Sequence, residues 1–248
     1  MNKLQILLLL ILIPAITIGQ RKKNQNLAEM AYSTIQKKLD ASTSDKRDAT
    51  VKTLNGIVEM SKKEEFIDKV SNHKKYLESL EYFEIPTANI SIINDSLVAS
   101  KGLVFEKSEK KYYIEPNKAF KEVIEKNKTG IYLYLYINEN NKMYLEFVNY
   151  TNGKKLLLIE KAKLKFDDNV FEYYLNWVKS RENGFEFCTI ETNTKNFIDL
   201  FNAISSHKGE MTIEFTGKNG NRTETIPNEM IEQMSNVFDL YSELKVKE

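Results

Sequence analysis

The sequence contains two histidines and one cysteine, the side chains that most often act as bases or nucleophiles near neutral pH. His73 lies on the apolar stripe of a predicted helix, seven residues after Phe66 and four residues before Leu77. A buried base or a metal ligand is one interpretation of this position. Because no second ligand is spaced to match it, we favour a core histidine whose ring nitrogens are hydrogen-bonded.

His207 follows a predicted helix, where a cationic side chain complements the negative end of the helix dipole. Cys188 lies in a predicted strand between Glu186 and Glu191, and neighbouring carboxylates disfavour the thiolate that a nucleophilic cysteine requires. A Cys188–His207 dyad is the catalytic alternative. We predict instead that Cys188 is an inert, mostly buried thiol.

The sequence has 35 acidic residues, and no two of them are marked out as the carboxylate pair of a glycosidase. Asp167-Asp168 and the run 138–141 could bind a cation, but neither has the spacing of a calcium loop and both are typical of turns. The sequence lacks a glycine-rich phosphate loop, a Gly-x-Ser-x-Gly elbow and a His-Glu-x-x-His motif. We therefore predict no catalytic residues, no cofactor and no metal site.

One surface of the predicted sheet is patterned, because tyrosines alternate with aliphatic residues through 131–137. With 139–141 as a three-residue loop and Asn141 left-handed, Ile137 faces Met143 and the aliphatic residues share one face. The other face then carries three predicted cross-strand pairs: Tyr136 with Tyr144, Tyr134 with Glu146, and Tyr132 with Val148.

This tyrosine row has a functional and a structural interpretation. Tyrosine combines a flat apolar ring with a polar tip, so the row could bind a sugar, a peptide or a partner protein. Alternatively, a helix covers this face, or the row only stabilises the hairpin through cross-strand contacts. The candidate binding surface consists of Tyr132, Tyr134, Tyr136 and Tyr144.

Helical spacing of apolar residues predicts three helices in the first third of the chain, within 27–39, 46–60 and 64–80. Ser61 precedes Glu64 by three residues, a spacing that predicts a capping box at the start of the third helix. After Pro86 the apolar period changes to two, and strands are predicted through 88–92 and 97–105. A short helix is predicted to begin at Pro116.

The rest of the chain predicts antiparallel hairpins and two more helices. The predicted elements after the tyrosine hairpin are a positive-φ turn at Asn152-Gly153, a strand from Leu156 to Ile159, a hairpin over 162–175, a strand over 185–190, a helix over 197–204, a hairpin over 211–226 and a helix from Pro227. The predicted fold class is therefore α+β: N-terminal helices followed by a mainly antiparallel sheet with helices packed on one face.

Residues 1–19 resemble an export signal, with Lys3 before the apolar run Leu4–Ile18 and a small residue, Gly19, at the cleavage position. The run is shorter than the roughly 20 residues of a membrane-spanning helix. Positive charge at 21–23 resists translocation, so an uncleaved anchor is the alternative. No cysteine follows the run, which argues against a bacterial lipid anchor.

The net charge and the length of the chain limit the classes of function that the sequence can support. The formal net charge is +1, and removal of 1–19 leaves 35 basic and 35 acidic residues, so no electrostatic field favours nucleic acid. We predict a signal peptide (1–19), an N-terminal helical region (20–85) and an α+β domain (86–248). The expected function is a periplasmic or secreted protein of a bacterial envelope that binds a protein, peptide or glycan without catalysis and has no stable membrane span after signal cleavage. A small exported carboxylate-dependent hydrolase is the alternative.

Overall fold

The computed structural model describes residues 21–38, 41–108, 111–115, 129–175, 178–180 and 185–246. The predicted signal peptide and the helix predicted from Pro116 lie outside these residues. The helices are α1 (Arg21–Lys38), α2 (Ser44–Met60), α3 (Glu64–Glu78), α4 (Asp95–Ser100), α5 (Lys195–Ser206) and α6 (Asn228–Leu244). Within the described ranges, no helix is both long enough and apolar enough to cross a membrane.

The first three helices share a buried apolar cluster. Its members are Ala28, Tyr32, Leu54, Ile57, Phe66, Val70, Leu77 and Leu80. Tyr76 packs against this cluster and also against the larger core formed by the rest of the chain. The three helices thus bury an apolar stripe of their own and reach the remainder of the fold through residues such as Tyr76.

The predicted capping box at Ser61 is wrong. Helix α3 begins at Glu64, and its N-cap residue is Lys63, whose side chain forms no capping hydrogen bond. Ser61 is buried, and its hydroxyl donates to Gln25 Oε1 and accepts from Lys63 N. The serine therefore ties the end of α2 to α1, because a buried hydroxyl must find partners wherever packing provides them.

The strand predicted through 88–92 is also wrong, as is the first part of the strand predicted through 97–105; only the end of the latter overlaps an observed strand, Val104–Ser108. A 3₁₀ turn at Ile90–Ile92 and helix α4 occupy this segment. Asn89 Oδ1 accepts from Ser91 N at 3.3 Å, and Asn94 Oδ1 accepts from Leu97 N at 2.8 Å. Asparagine side chains that satisfy helical amides outweigh a short apolar alternation.

In the part of the chain that the structure describes, ten strands form two antiparallel sheets. The strands are β1 (Val104–Ser108), β2 (Lys111–Glu115), β3 (Gly130–Ile137), β4 (Met143–Thr151), β5 (Ile159–Phe166), β6 (Asn169–Tyr174), β7 (Lys179–Ser180), β8 (Glu186–Glu191), β9 (Met211–Gly217) and β10 (Gly220–Ile226). The six-stranded first sheet has the order β1-β2-β3-β4-β8-β7, and the second has the order β10-β9-β5-β6. The predicted α+β class, with N-terminal helices before antiparallel strands, is confirmed. The alternation of apolar residues in the sequence predicts strands but does not indicate that they divide into two sheets.

The connection between the sheets departs from the predicted turn and strand. Gly153 does not have a positive φ; a Cβ at this position would lie 2.0 Å from the Arg222 guanidinium, so the glycine provides space. The positive φ belongs to Leu158, at 54°, and β5 begins only at Ile159. The predicted strand over 156–159 was therefore placed too early in the chain.

A buried carboxylate holds this connection in place. Glu186 of β8 is fully buried, and its two oxygens accept from Leu157 N at 2.6 Å and from Ile159 N at 3.1 Å. The left-handed Leu158 between these amides turns both of them towards the same side, which is the geometry of a backbone anion nest. Glu186 thus joins the first sheet to the first residue of the second.

Candidate binding surface

The tyrosine hairpin has the register that the sequence predicts. Strands β3 and β4 pair Ile137 with Met143, and the three tyrosines fall on the opposite face. Asn141 has a φ of 58°, as the three-residue loop requires. Asn138 Oδ1 accepts from Lys142 N at 2.9 Å and closes the loop from within. Each predicted cross-strand pair of the tyrosine row is present.

A third strand extends the row beyond the predicted hairpin. Tyr113 of β2 lies opposite Tyr136, so its side chain is on the same face of the sheet. Its ring centroid is 6.0 Å from that of Tyr134. We call Tyr113, Tyr134, Tyr136 and Tyr144 the tyrosine surface. Sequence reasoning missed Tyr113, because the pairing of β2 with β3 is not set by any local turn.

The rings of the tyrosine surface touch across three adjacent strands. Tyr136 and Tyr144 are stacked, with centroids 4.7 Å apart and planes 6° apart, and Tyr134 lies 6.4 Å from Tyr136. All four rings are partly exposed. Offset stacking at these distances adds about 0.5–1.5 kcal/mol per pair beyond area burial, so the rings support one another.

Tyr132, the fourth predicted member of the row, has a different environment. It packs against the large core and meets Tyr150 edge to face at 6.3 Å. Burial, with a smaller contribution from Glu146, raises the pKa of Tyr132 well above its usual range. Tyr132 was predicted to be part of the candidate binding surface. Its packing against the core instead fixes one end of the tyrosine row.

Helix α6 fixes the strand that carries most of the row. Pairing of β2 with β3 ends at Leu135, and Gln233 of α6 bonds to the next free edge position, Leu133. Gln233 Nε2 donates to Leu133 O at 2.7 Å, and its Oε1 accepts from Leu133 N at 3.3 Å. The side-chain amide replaces a neighbouring strand, and the inner face of β3 is fully buried. The tyrosines therefore project from a rigid backbone.

A shallow apolar depression adjoins Tyr144. Phe83, Ile85, Pro86 and Tyr241 contribute to its lining, and its interior has room for about one water molecule. The extended segment that carries Pro86 is held against β4, because Met143 N donates to Pro86 O at 2.9 Å. The depression is therefore too small to hold a group of a ligand.

The histidines lie away from this surface. His207 follows α5 as predicted, but its side chain contacts a carboxylate: Nδ1 lies 2.8 Å from Asp167 Oδ2. Its Nε2 is buried and has no hydrogen-bond partner among the described residues. A catalytic histidine that is oriented by a carboxylate activates a hydroxyl or thiol next to its other ring nitrogen. The described residues place no such group next to His207 Nε2.

His73 is a core residue, as predicted, although only one of its nitrogens is bonded. Its ring is fully buried and stacks on Tyr174, with centroids 4.1 Å apart and planes 2° apart. Nδ1 shares a 3.0 Å hydrogen bond with the Tyr32 hydroxyl, whereas Nε2 has no partner among the described residues. Burial, with a contribution from Lys69, lowers the pKa of His73 to about 3.

Cys188 is buried, as predicted, and lies opposite Asn149 of β4. His207 Nδ1 contacts Asp167 and not Cys188, so the two residues of the suggested dyad have different neighbours. Among the described residues, no group of three or more His, Cys, Asp and Glu side chains is arranged to hold a metal ion. The inertness of Cys188 stays a prediction.

Comparison with known proteins gives no further guide to function. The sequence matches no protein family, and neither a curated protein nor a solved structure is similar to the chain at a significant level.

Proposed function

We propose that this chain is an exported, non-catalytic binding protein of a bacterial envelope, and that the tyrosine surface holds its ligand. The observation that carries the proposal is the continuous set of partly exposed rings on β2, β3 and β4. The ligand is a protein, a peptide or a glycan that lies across these strands.

Tyrosine side chains support this proposal because they lose little conformational entropy when they bind a ligand. A tyrosine loses little conformational entropy on binding, because it has two side-chain torsions and its ring offers a large contact area. Stacking of Tyr136 on Tyr144 restrains both rings before any ligand arrives. The phenol hydroxyls give polar specificity.

Export rests on the sequence of residues 1–19, with a basic residue, an apolar run and a small residue in the order of a signal peptide. We infer release into the periplasm or the medium after cleavage behind Gly19. N-terminal sequencing of the exported protein tests this part: a chain that begins at Gln20 supports it, and an intact Met1 refutes it.

Binding is tested by probing arrays of envelope glycans and peptides with labelled protein. Tyr134→Ala and Tyr136→Ala each remove ring area, and we expect at least a tenfold loss of the retained signal, together with a fall of a few degrees in melting temperature from the lost ring contacts. Tyr134→Phe keeps the ring and serves as the conservative variant. Val170→Ala, an exposed apolar residue on the second sheet, is the matched control. Unchanged binding by both alanine variants would reject the tyrosine surface as the ligand site.

A further inference from the structure

Strand β10 is the last strand of the second sheet. Among the described residues it pairs with β9 alone, through seven consecutive residue pairs without a bulge. Asn221, Thr223 and Thr225 are exposed. The opposite edge, β6, is partly covered, because Tyr174 stacks on His73 of α3. The two edges of this sheet therefore differ in their access to another chain.

The turn between β9 and β10 determines which backbone groups point outward. Gly217 pairs with Gly220 across a two-residue turn, so Gly220, Arg222, Glu224 and Ile226 bond to β9. Asn221, Thr223 and Thr225 direct their N–H and C=O groups away from the sheet. No hydrogen bond joins these outward backbone groups to another described residue. Three residues thus offer a row of donors and acceptors to an added strand.

This edge lacks three of the features that commonly prevent strand addition. From Gly220 to Ile226 the strand contains no proline and no lysine, and its register with β9 is regular, without a bulge. It does carry two charged side chains on the inner side of the sheet, Arg222 and Glu224, and inward-pointing charges disfavour pairing with an arbitrary strand. An added strand must therefore complement these two charges.

Charge selects the added strand. Arg222 and Glu224 lie on the inner side of the sheet, two residues apart. Arg222 donates to two neutral oxygens, Thr151 Oγ1 at 2.7 Å and the Lys155 carbonyl oxygen at 3.3 Å, and Glu224 is exposed. A strand with the opposite order of charges in antiparallel orientation would complement this pattern, and β10 itself has that order.

We propose that two copies of this chain associate through β10, antiparallel, about a two-fold axis at Thr223. In this register Arg222 of each copy faces Glu224 of the other, and Thr223 faces Thr223. The pairs 221–225, 223–223 and 225–221 would exchange six backbone hydrogen bonds, two per pair. The product is an isologous dimer with one continuous eight-stranded sheet.

Other registers are less favourable. A shift by two residues reduces the backbone hydrogen bonds between the two β10 strands from six to four. It also places Arg222 opposite Arg222, or Glu224 opposite Glu224, and directly opposed like charges are destabilising. A shift by one residue turns the outward groups of one strand away from those of the other. The two-fold axis at Thr223 is therefore the register that satisfies both the hydrogen bonds and the charges.

Sedimentation equilibrium of the protein expressed from its full-length sequence tests the association. Thr223→Pro removes an outward N–H and no bond to β9, so we expect the dimer dissociation constant to rise about tenfold or more. Glu224→Arg, which opposes like charges, should have a similar effect, whereas Glu224→Gln should have a smaller one. Val170→Pro removes an outward N–H at the β6 edge and should leave association unchanged.

Disulfide trapping tests the register. Thr223→Cys places two thiols opposite each other, with Cα atoms about 5.5 Å apart, which a disulfide can bridge. Asn221→Cys is the matched control, because its two copies lie four residues apart along the strands, about 13 Å. Cys188 is buried and does not compete. The inference predicts rapid cross-linking of the first variant and none of the second.

Four results would overturn this inference. A protein that stays monomeric up to about 100 µM, weaker than the micromolar affinity expected of a specific small interface, excludes the dimer. Equal cross-linking at Asn221→Cys and Thr223→Cys excludes the register. A dimer that persists in Thr223→Pro but dissociates in Val170→Pro places the interface at β6, and a monomer that binds extended peptides at β10 assigns the edge to another partner.

Discussion

Acid should loosen the junction between the N-terminal helices and the second sheet, because His73 is buried there as a neutral ring. His73 of α3 stacks on Tyr174 of β6, and its Nδ1 is bonded to Tyr32 of α1. The charged ring carries an N–H at both nitrogens, and among the described residues no group accepts from Nε2. Lys69 adds like-charge repulsion. The folded state therefore disfavours the charged ring.

The sign and size of this pH effect on the unfolding free energy follow from the linkage between protonation and folding. The pKa of His73 falls from 6.5 to about 3 on folding, so its contribution to stability is complete above pH 6.5 and is lost as the pH falls towards 3. Between pH 7.5 and pH 5 the unfolded chain takes up the proton and the folded chain does not, which costs about 2 kcal/mol of unfolding free energy. By pH 4 the loss reaches about 3 kcal/mol.

Urea unfolding of wild type and His73→Phe at pH 7.5, 6, 5 and 4 measures this effect. Phenylalanine can keep the stack on Tyr174 but does not titrate. Between pH 7.5 and pH 5, the unfolding free energy of the variant should therefore fall by about 2 kcal/mol less than that of the wild type. Parallel pH profiles for wild type and His73→Phe would refute the argument, as would an NMR titration of His73 with a midpoint near 6.5.

Three other substitutions test contacts that position the sheets. Glu186→Gln should lower the unfolding free energy by about 2–3 kcal/mol, since an amide oxygen replaces a carboxylate that accepts from two buried amides, and the denaturant midpoint should fall at constant slope. Gly153→Ala should cost about 1–2 kcal/mol by displacing Arg222, and a double-mutant cycle with Arg222→Ala should be non-additive; additive effects would exclude the steric explanation. Gln233→Leu should accelerate hydrogen exchange at the Leu133 amide by at least tenfold, and unchanged exchange would show that another group protects that amide.

Local chemistry explains why some elements could be predicted from the sequence. The hairpin of β3 and β4 was predicted to the residue, because strict alternation and an Asn141 that tolerates a positive φ act within a few positions. The last helix was predicted for the same reason, since a proline precedes a regular apolar stripe.

Elements that depend on distant partners could not be predicted in the same way. The pairing of Tyr113 with Tyr136 joins strands separated by a segment with no turn signal. The burial of Glu186 could have been inferred, because it shares a strand face with the predicted buried Cys188. Its partners could not, since the amides of 157–159 meet it only after the two sheets have packed.

The error at 88–100 has a different cause. Apolar alternation indicates a strand only when the backbone has no competing local hydrogen bonds. Asn89 and Asn94 supply such bonds to Ser91 and Leu97, and the segment becomes helical. Each asparagine precedes a potential helical turn by one residue, so the signal was present in the sequence and was outweighed by the alternation.

The central claim is that the tyrosine surface contacts the ligand, and fluorine NMR of protein labelled with 3-fluorotyrosine tests it most directly. Single Tyr→Phe variants assign the resonances, and peptidoglycan fragments and envelope peptides are the probes. We expect shifts for Tyr134, Tyr136 and Tyr144, whose rings are partly exposed and in contact, and none for the buried Tyr173. Binding of a probe that leaves the resonances of these three unchanged would contradict the claim.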